Sequence, residues 1–330
     1  MASITGDEHG DNQVRATGSD AALSKTSAST KGYVPDPFIH LFVKPSRRTI
    51  RRAPLINRGY YARTRSIHQL VLTFLQHCTA STSFTNTGTG TASQIITLGA
   101  GCDTLFFRLC AEHPKLAQHL VVFETDFQNV IDKKQQICNA HETLRDLAAR
   151  DQYRIFPCDL RDLNTLTTGL ESAGFDSNIP TLLLSECVLI YMESQYSNRV
   201  IEWAGNNIRS SVFVTYEQIK PSDAFGAMMV RNIKQRGCPL KSIHDYPTCQ
   251  SLVERYQSLG YGHVQVRDMN DVYYNFIDDA DRARAEKLEL FDELEEWHLI
   301  QGHYCLAVAV NEIENENNQP LLHTCLDFFE

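Results

Sequence analysis

The sequence predicts a doubly wound α/β fold with a mostly parallel sheet of seven strands. An apolar run over residues 95–98 stops at a turn that contains Gly99 and Gly101 and passes into helical spacing from residue 105. A strand, a glycine turn and a helix in this order form the nucleotide-binding corner of such sheets. A second apolar run, 120–123, ends in the acidic Glu124 and Asp126. Strand and helix patterns then alternate, and five such units in a row require right-handed crossovers and a parallel sheet.

Hydrophobic spacing assigns the individual elements in chain order. Apolar residues at 67, 70, 71, 74 and 75 predict an amphipathic helix before the sheet. The five parallel strands are predicted at 94–98, 120–124, 153–157, 181–185 and 212–217. The helices between them are predicted from 104, over 128–150, up to about 173 and over 194–208. Beyond them we expect a helix over 248–259, a strand over 264–267, a helix over 282–297 and a β-rich run, 303–310, that pairs antiparallel near the sheet edge.

The chain is expected to contain one main domain, residues 23–310, between two tails. Residues 1–22 are rich in Gly, Ser, Thr and Asp and are predicted to be disordered, and 311–330 form a C-terminal tail. Within the domain, the predicted parts are an N-terminal lid with helices over 23–93, a cofactor-binding core over 94–218, an irregular substrate-side insertion over 219–247 and the C-terminal half of the sheet over 248–310.

Composition excludes several classes of function. The net charge of −9 argues against a nucleic-acid partner, because binding by counterion release needs a basic face. No apolar run approaches the roughly 20 residues that span a bilayer, and the polar N-terminus lacks a secretory signal. The ten cysteines contain no Cys-x-x-Cys pair and no metal site is predicted. We therefore expect a reduced protein of the cytoplasm or nucleus, with no membrane partner.

The candidate binding residues lie at the carboxyl ends of the predicted strands, where open α/β sheets hold ligands. They are Gly99 and Gly101, Asp126, Asp159 with Leu160, and Glu186. Position 104 is Thr, so the third glycine of a dinucleotide fingerprint is missing. A nucleoside without phosphates therefore fits better, and S-adenosylmethionine fits best.

Each part of that ligand has a candidate partner. Asp126 is placed to accept from the ribose hydroxyls, with Glu124 as the alternative acid. Asp159 is suited to the adenine amine, with the Leu160 N–H offered to a ring nitrogen, and Glu186 to the methionine ammonium. Arg63 is a candidate for the carboxylate because its guanidinium pairs bidentately, and Lys25 is a second candidate.

The same residues carry a family resemblance. The blocks are 56–63, 98–104, 159–163, 185–192, 216–218, 223–226, 291–296 and 303–304. In the same order and spacing, from about 22 to 310, the chain resembles leucine carboxyl methyltransferase. The resemblance implies a class I S-adenosylmethionine-dependent enzyme that methylates the C-terminal leucine α-carboxylate of the protein phosphatase 2A catalytic subunit, its partner through the C-terminal tail and the active-site surface. It also implies cofactor contacts at Lys25, Arg63, Gly99, Asp126, Asp159, Leu160 and Glu186.

The nucleophile determines the expected mechanism. A carboxylate is already ionised at neutral pH, so no residue is predicted as general acid or base, and no catalytic His or Cys is expected. Catalysis then consists of positioning and desolvation, with Arg63 and Tyr191 as candidate orienting groups. The alternatives are a carboxyl methyltransferase for a modified tRNA base, whose relatives carry a long extension that the residues after 310 are too few to form, or one for a small-molecule acid. A catalytically idle module that binds the phosphatase tail is a further alternative, which the glycine turn and the strand-end groups argue against.

Overall fold

The fold is a seven-stranded sheet with helices on both faces. The computed structural model describes residues 8–44, 51–80, 91–312, 325 and 327–329. The strands are β1 Ser93–Leu98, β2 Leu120–Asp126, β3 Tyr153–Pro157, β4 Thr181–Glu186, β5 Ser210–Gln218, β6 His263–Asp268 and β7 Tyr304–Glu312. The helices are α1 Glu8–Thr30, α2 Pro54–Ala80, α3 Leu105–Glu112, α4 Pro114–Ala117, α5 Gln128–Ala140, α6 Glu142–Ala148, α7 Leu163–Ser172, α8 Ser194–Asn207, α9 Ala224–Gln235, α10 Cys249–Ser258, α11 Met269–Asp271, α12 Asp279–Glu286 and α13 Leu294–Gln301.

The sheet has the order β3-β2-β1-β4-β5-β7-β6. Strands β1 to β5 run parallel, and β7 lies antiparallel between β5 and β6. Leu98 pairs with Thr125 of β2 and with Ser185 of β4, so the carboxyl ends of these three strands are level. The strand order reverses between β1 and β4, which is the point where such sheets bind ligands. The predicted doubly wound, mostly parallel sheet of seven strands is confirmed.

Burial explains why the central strands are almost continuously apolar. Successive residues of a strand point to opposite faces, and a parallel sheet covered on both sides buries both sets. Ile95 of β1 belongs to the hydrophobic core under α2 and α3, while Ile96 belongs to the core under α7, α8 and α10. Leu182 and Leu183 of β4 divide in the same way. The sheet is thereby held rigidly between two packed layers, and its strand ends form a fixed platform.

The N-terminal region differs from the prediction. Disorder was expected over residues 1–22, but α1 begins at Glu8, so from there the prediction is wrong; residues 1–7 lie outside the described residues. Tertiary contacts explain the difference. Ala28 belongs to the hydrophobic core that also contains the apolar face of α2, and the Arg15 guanidinium lies 4.4 Å from the centre of the Phe127 ring. Such contacts stabilise a helix that its composition alone does not predict.

Three further predictions change in detail. The expected helix over 128–150 is divided into α5 and α6, and the one over 282–297 corresponds to α12 and α13 with an irregular stretch between them. The insertion over 219–247 was expected to be irregular, yet it contains α9, whose first turn is capped by Asp223 accepting from the Gly226 N–H at 2.7 Å. The tail from 311 lies outside the described residues except for the end of β7 and residues 325 and 327–329. No helix in the described ranges is both long and apolar enough to cross a bilayer.

Candidate active site

A cavity of about 760 Å³ opens where the strand order reverses. This volume lies within the range of small-molecule and cofactor sites. Nine of the ten residues singled out in the sequence line it: Lys25, Arg63, Gly99, Gly101, Asp126, Asp159, Leu160, Glu186 and Tyr191. Helix α1 contributes a wall of the cavity from Gly10 to Lys25. The structure therefore brings together groups from six separate parts of the chain.

The glycine turn after β1 has a backbone that favours glycine. Gly99 has φ +62° and Gly101 has φ +51°, both in the left-handed region where side chains add strain. A Cβ atom on Gly99 would lie 2.7 Å from a Val188 methyl, so packing excludes a side chain there. A Cβ on Gly101 would meet only the Gly18 Cα of α1, at 3.9 Å. The turn thus presents bare backbone between the sheet and α1, as close approach of a ligand requires.

The two acids at the end of β2 have different environments. Asp126 lines the cavity and accepts from the Gly101 N–H at 2.8 Å and from the Phe127 N–H at 2.7 Å. Burial raises the pKa of its carboxyl, while these hydrogen bonds oppose the shift. Glu124 is fully buried, forms an ion pair with Lys134 and accepts from the Tyr153 hydroxyl at 2.7 Å. Of the two alternatives left open by the sequence, only Asp126 faces the cavity.

A cluster of opposite charges lies beside β4. Arg63 Nε donates to Glu186 Oε2 at 2.7 Å, and Lys25 Nζ lies 3.7 Å from the same oxygen and 3.5 Å from Asp103 Oδ1. The Arg63 guanidinium also lies over the Tyr216 ring, 4.7 Å from its centre. Burial lowers the pKa of Lys25, but Glu186 and Asp103 outweigh it and raise the pKa overall. A zwitterionic ligand can replace these ion pairs with its own. Its carboxylate would pair with Lys25 and Arg63, and its ammonium would pair with Glu186.

Asp159 is already engaged at the opposite end of the cavity. Arg161 Nη2 donates to Asp159 Oδ2 at 2.6 Å, and Arg161 Nε donates to Oδ1 at 2.9 Å. The same guanidinium makes two bonds to Asp11 of α1, at 2.7 and 3.1 Å. The sequence predicted Asp159 only as an acceptor for the adenine amine. In the structure, Asp159 also forms part of a link between β3 and α1. Carboxylate oxygens have several lone pairs, so Asp159 retains capacity to accept from an amine.

Tyr191 lies in a short 3₁₀ turn, Leu189–Tyr191, that crosses the end of the sheet. Cys187 enters this turn with φ +56°, a backbone strain of the kind found at functional sites. Glu217 of β5 secures the turn by accepting from the Ile190 N–H at 2.8 Å. Burial raises the pKa of Tyr191 well above its usual value, so the phenol stays protonated and acts as a hydrogen-bond donor.

Sequence reasoning missed an aromatic wall of the cavity beside β5 and β7. Tyr60, Tyr216 and Tyr304 line it together with Gln218 and Ile300. The Tyr216 and Tyr304 rings stack with centres 5.3 Å apart. Tyr216 lies near the carboxyl end of β5, where its position alone was a usable signal, but Tyr304 joins it only through the antiparallel pairing of β5 with β7.

Of the groups that commonly serve in acid–base catalysis, the described residues that line the cavity supply carboxylates, phenols and thiols. None of the described residues that line it is a histidine, and burial raises the pKa of the Cys102 thiol, which keeps it protonated. Elsewhere, His68, Glu112 and His113 bring metal-ligating atoms within 4.8 Å of one another. Arg108 Nη1 lies 3.4 Å from His68 Nδ1. Burial of the His68 ring and the positive charge of Arg108 together lower the pKa of His68 to about 3. A guanidinium beside the ring disfavours a bound cation, and we assign no metal to the group.

Known proteins with similar sequences include leucine carboxyl methyltransferases. The sequence profile of the leucine carboxyl methyltransferase family matches residues 14–205. The chain is 40% identical to a leucine carboxyl methyltransferase 1 homolog of Arabidopsis thaliana over 91% of this chain and 89% of that protein. It is 36% identical to tRNA wybutosine-synthesizing protein 4 of Rattus norvegicus, over 90% of this chain but 44% of that protein. A putative methyltransferase from Thermobifida fusca YX superposes with a TM-score of 0.48 at 13% identity, over 88% of this chain and 96% of that one.

The match to the family profile covers more than half of the chain and includes the glycine turn, Asp126, Asp159 and Glu186. The relative from Arabidopsis thaliana extends the similarity over nearly the whole chain. The chain therefore belongs to the leucine carboxyl methyltransferase family and is an S-adenosylmethionine-dependent carboxyl methyltransferase.

Proposed function

We propose that this enzyme methylates the α-carboxylate of the C-terminal leucine of the protein phosphatase 2A catalytic subunit. The observation that carries the proposal is the form of the cavity beyond the charged cluster. There Tyr60, Tyr216, Tyr304 and Ile300 line the cavity next to the cluster, and the Arg63 guanidinium lies 5.7 Å from the centre of the Tyr60 ring and 4.7 Å from that of Tyr216. Apolar and aromatic side chains beside the methionine end of the cofactor suit a substrate that presents a branched aliphatic side chain next to its carboxylate.

The cavity fits S-adenosylmethionine in three parts. The bare backbone at Gly101 and the carboxylate of Asp126 would hold the ribose, and Asp159 with Leu160 would hold the adenine. Lys25, Arg63 and Glu186 would hold the methionine end, since together they complement an ammonium and a carboxylate. The cofactor supplies an electrophilic methyl group on its sulfonium.

The protein's own residues orient the substrate and exclude water. A terminal carboxylate, with an unperturbed pKa of roughly 3.5, is ionised at neutral pH and needs no base. Tyr191 is protonated and able to donate a hydrogen bond, and the aromatic wall removes water from the nucleophile. Holding the two reactants in line then provides most of the acceleration, because positioning alone is worth about 7–11 kcal/mol.

Methyl transfer to the purified phosphatase catalytic subunit tests the proposal. The enzyme is incubated with S-adenosylmethionine carrying a labelled methyl group and with either the intact subunit or a subunit that lacks its last leucine. We expect label on the intact subunit only, and its release as methanol in mild base, since the product is an ester. Label on the truncated subunit, or on neither, would refute the proposal. Label on tRNA instead would favour the reaction of the wybutosine-synthesizing relative.

The location of the enzyme is also a proposal. We infer a cytoplasmic or nuclear protein because ten cysteines without a Cys-x-x-Cys pair are typical of reducing compartments. Cell fractionation with antibodies against the enzyme would test this, and recovery in a secretory fraction would contradict it.

A further inference from the structure

We propose that a basic surface formed by α9 and the segment after it docks an acidic surface of the protein whose C-terminal tail enters the cavity. The surface, here called the basic rim, consists of Arg231, Lys234, Arg236 and Lys241. This inference rests on the proposed function, because it concerns how a whole protein substrate is held. It adds a docking surface outside the catalytic cavity.

The cations of the basic rim form no ion pairs with the described residues. All four side chains are exposed, and within the described part of the chain none of them takes part in an ion pair. Four such cations stand out on a chain whose net charge is −9. Arg236 and Lys241 also line the cavity, so the rim continues into its mouth. An acidic partner surface is complementary to it and would be drawn toward the mouth.

An exposed apolar side chain on the same helix as the cations favours a protein over a nucleic acid. Met228 on α9 is 56% exposed, and methionine is an adaptable residue at recognition surfaces. Arginine and methionine are enriched in protein interfaces, whereas binding to a phosphate backbone depends on cations alone. The mixed character of α9 therefore fits the surface of a folded protein partner.

The underside of α9 connects the basic rim to the catalytic residues. Met229, Val230 and Ile233 pack on a small core formed by Ile190 and two residues after the helix, Leu240 and Ile243. Ile190 precedes Tyr191 in the turn that crosses the sheet, and Tyr191 packs on the same core. A partner bound to the exposed face of α9 is therefore separated by this one helix from the turn that contains Tyr191.

Helix α1 meets the end of α9 across the mouth of the cavity. A Cβ atom placed on Gly237 would lie 2.6 Å from Gln13 Cγ, so the two segments are in close approach. Both segments line the cavity, through Gln13 on one side and Arg236 and Cys238 on the other. A protein docked on the basic rim would hold its C-terminus at this opening, which raises the effective concentration of the tail.

The test compares a whole substrate with a short one. The variant Arg231→Glu/Lys234→Glu reverses two exposed charges that do not line the cavity. Its matched control is Lys115→Glu/Arg145→Glu, which reverses two exposed charges on α4 and α6, before the amino ends of β2 and β3. For each protein, KM is measured with the intact phosphatase catalytic subunit and with a short peptide ending in leucine. Cofactor affinity is measured by calorimetry.

We expect the Arg231→Glu/Lys234→Glu variant to raise KM for the intact subunit by about tenfold or more, with the peptide KM and cofactor affinity within about twofold of the wild type. The wild-type KM for the subunit should rise with salt, and the variant should lose most of that dependence. The control should behave as the wild type.

Three results would overturn the proposal. The first is an unchanged KM for the subunit in the variant. The second is an equal rise for subunit and peptide, which would mean that α9 only supports the cavity. The third is loss of tRNA binding in the variant, measured by fluorescence anisotropy, with no change toward the subunit. If the wild type methylates neither substrate, the proposed function fails and this inference with it, whereas selective failure of the variant leaves the function intact.

Discussion

Arg161 joins the adenine end of the cavity to α1, and this link predicts a specific kinetic effect. Its guanidinium bonds Asp11 at 2.7 and 3.1 Å and Asp159 at 2.6 Å. The Asp11 and Arg161 side chains are only 16% and 15% exposed, so water screens the pair incompletely. Because Asp11 lies near the start of α1, and α1 forms a wall of the cavity, the bond holds that wall against the sheet.

The substitution Asp11→Asn removes the charge and keeps the shape of the side chain. A hydrogen-bonded charge pair is worth about 1.5–3 kcal/mol, and we take the lower half of this range because the pair is partly exposed. A loss of about 1.5 kcal/mol corresponds to roughly a tenfold change in an equilibrium constant, and here it weakens the attachment of α1 to the sheet beside the cofactor. We therefore expect the cofactor to dissociate about tenfold faster, with the melting temperature lowered by a few degrees at most.

Stopped-flow displacement of S-adenosylhomocysteine measures the dissociation rate directly. The matched control is Asp151→Asn, which removes a fully exposed carboxylate 3.8 Å from Arg154 and away from the cavity. The control should dissociate at the wild-type rate, because exposed pairs contribute little. An Asp11→Asn variant with an unchanged dissociation rate but a lower melting temperature would refute the reasoning and leave the link with a purely structural role.

Five other substitutions, at four positions, test charged groups in the cavity and behind it. Asp126→Ala should weaken cofactor binding in calorimetry by roughly 2–3 kcal/mol, whereas Glu124→Gln should leave affinity nearly unchanged and lower stability because Lys134 loses its partner; the reverse pattern would assign the ribose to Glu124. Arg63→Lys and Arg63→Ala should both lose most methyl transfer, because Lys lacks the planar guanidinium and Ala lacks the charge as well. Weakened cofactor binding in these variants would mean that Arg63 contacts the methionine part of the cofactor, and normal binding would mean that it contacts the substrate. Full activity would exclude both roles. Burial raises the pKa of Glu217 from 4.5 to about 7, so the stability associated with its protonated form is complete below pH 4.5 and is lost as the pH rises through 7. Glu217→Gln should therefore be more stable than the wild type in urea at pH 8, by at most about 3 kcal/mol, with a smaller difference at pH 5; an equal difference at both values would contradict the assignment.

The parts of the fold that were predictable depend on short-range patterns. The run from β1 through Gly99 and Gly101 into α3 is recognisable because strand, turn and helix each leave a local signal. The acids and glycines at strand ends were also predictable, since parallel strands bring their carboxyl ends to one edge. Nine predicted residues accordingly line one cavity.

The remaining features depend on contacts between distant parts of the chain. Whether Glu124 or Asp126 faces the cavity is decided by Lys134 and Tyr153, which occupy Glu124. Helix α1 has few large apolar residues and depends on partners such as Arg161, 150 residues away from Asp11. No local pattern records such pairs, so composition led to a prediction of disorder for residues that form a helix.

The charged side chains of the cavity pair with one another, and this changes how substitutions there must be interpreted. Arg63 pairs with Glu186, and Arg161 bridges Asp159 and Asp11. A zwitterionic cofactor therefore exchanges one set of ion pairs for another, rather than desolvating isolated charges, which lowers the cost of binding. The same arrangement means that Arg63→Ala leaves the largely buried Glu186 with only Lys25, at 3.7 Å, among its described cationic neighbours. The stability of the apo protein should then fall together with its activity. Cofactor affinity therefore has to be compared at a temperature where the wild type and the Arg63→Ala variant are both fully folded. Only then does a change in affinity report on the contacts within the cavity.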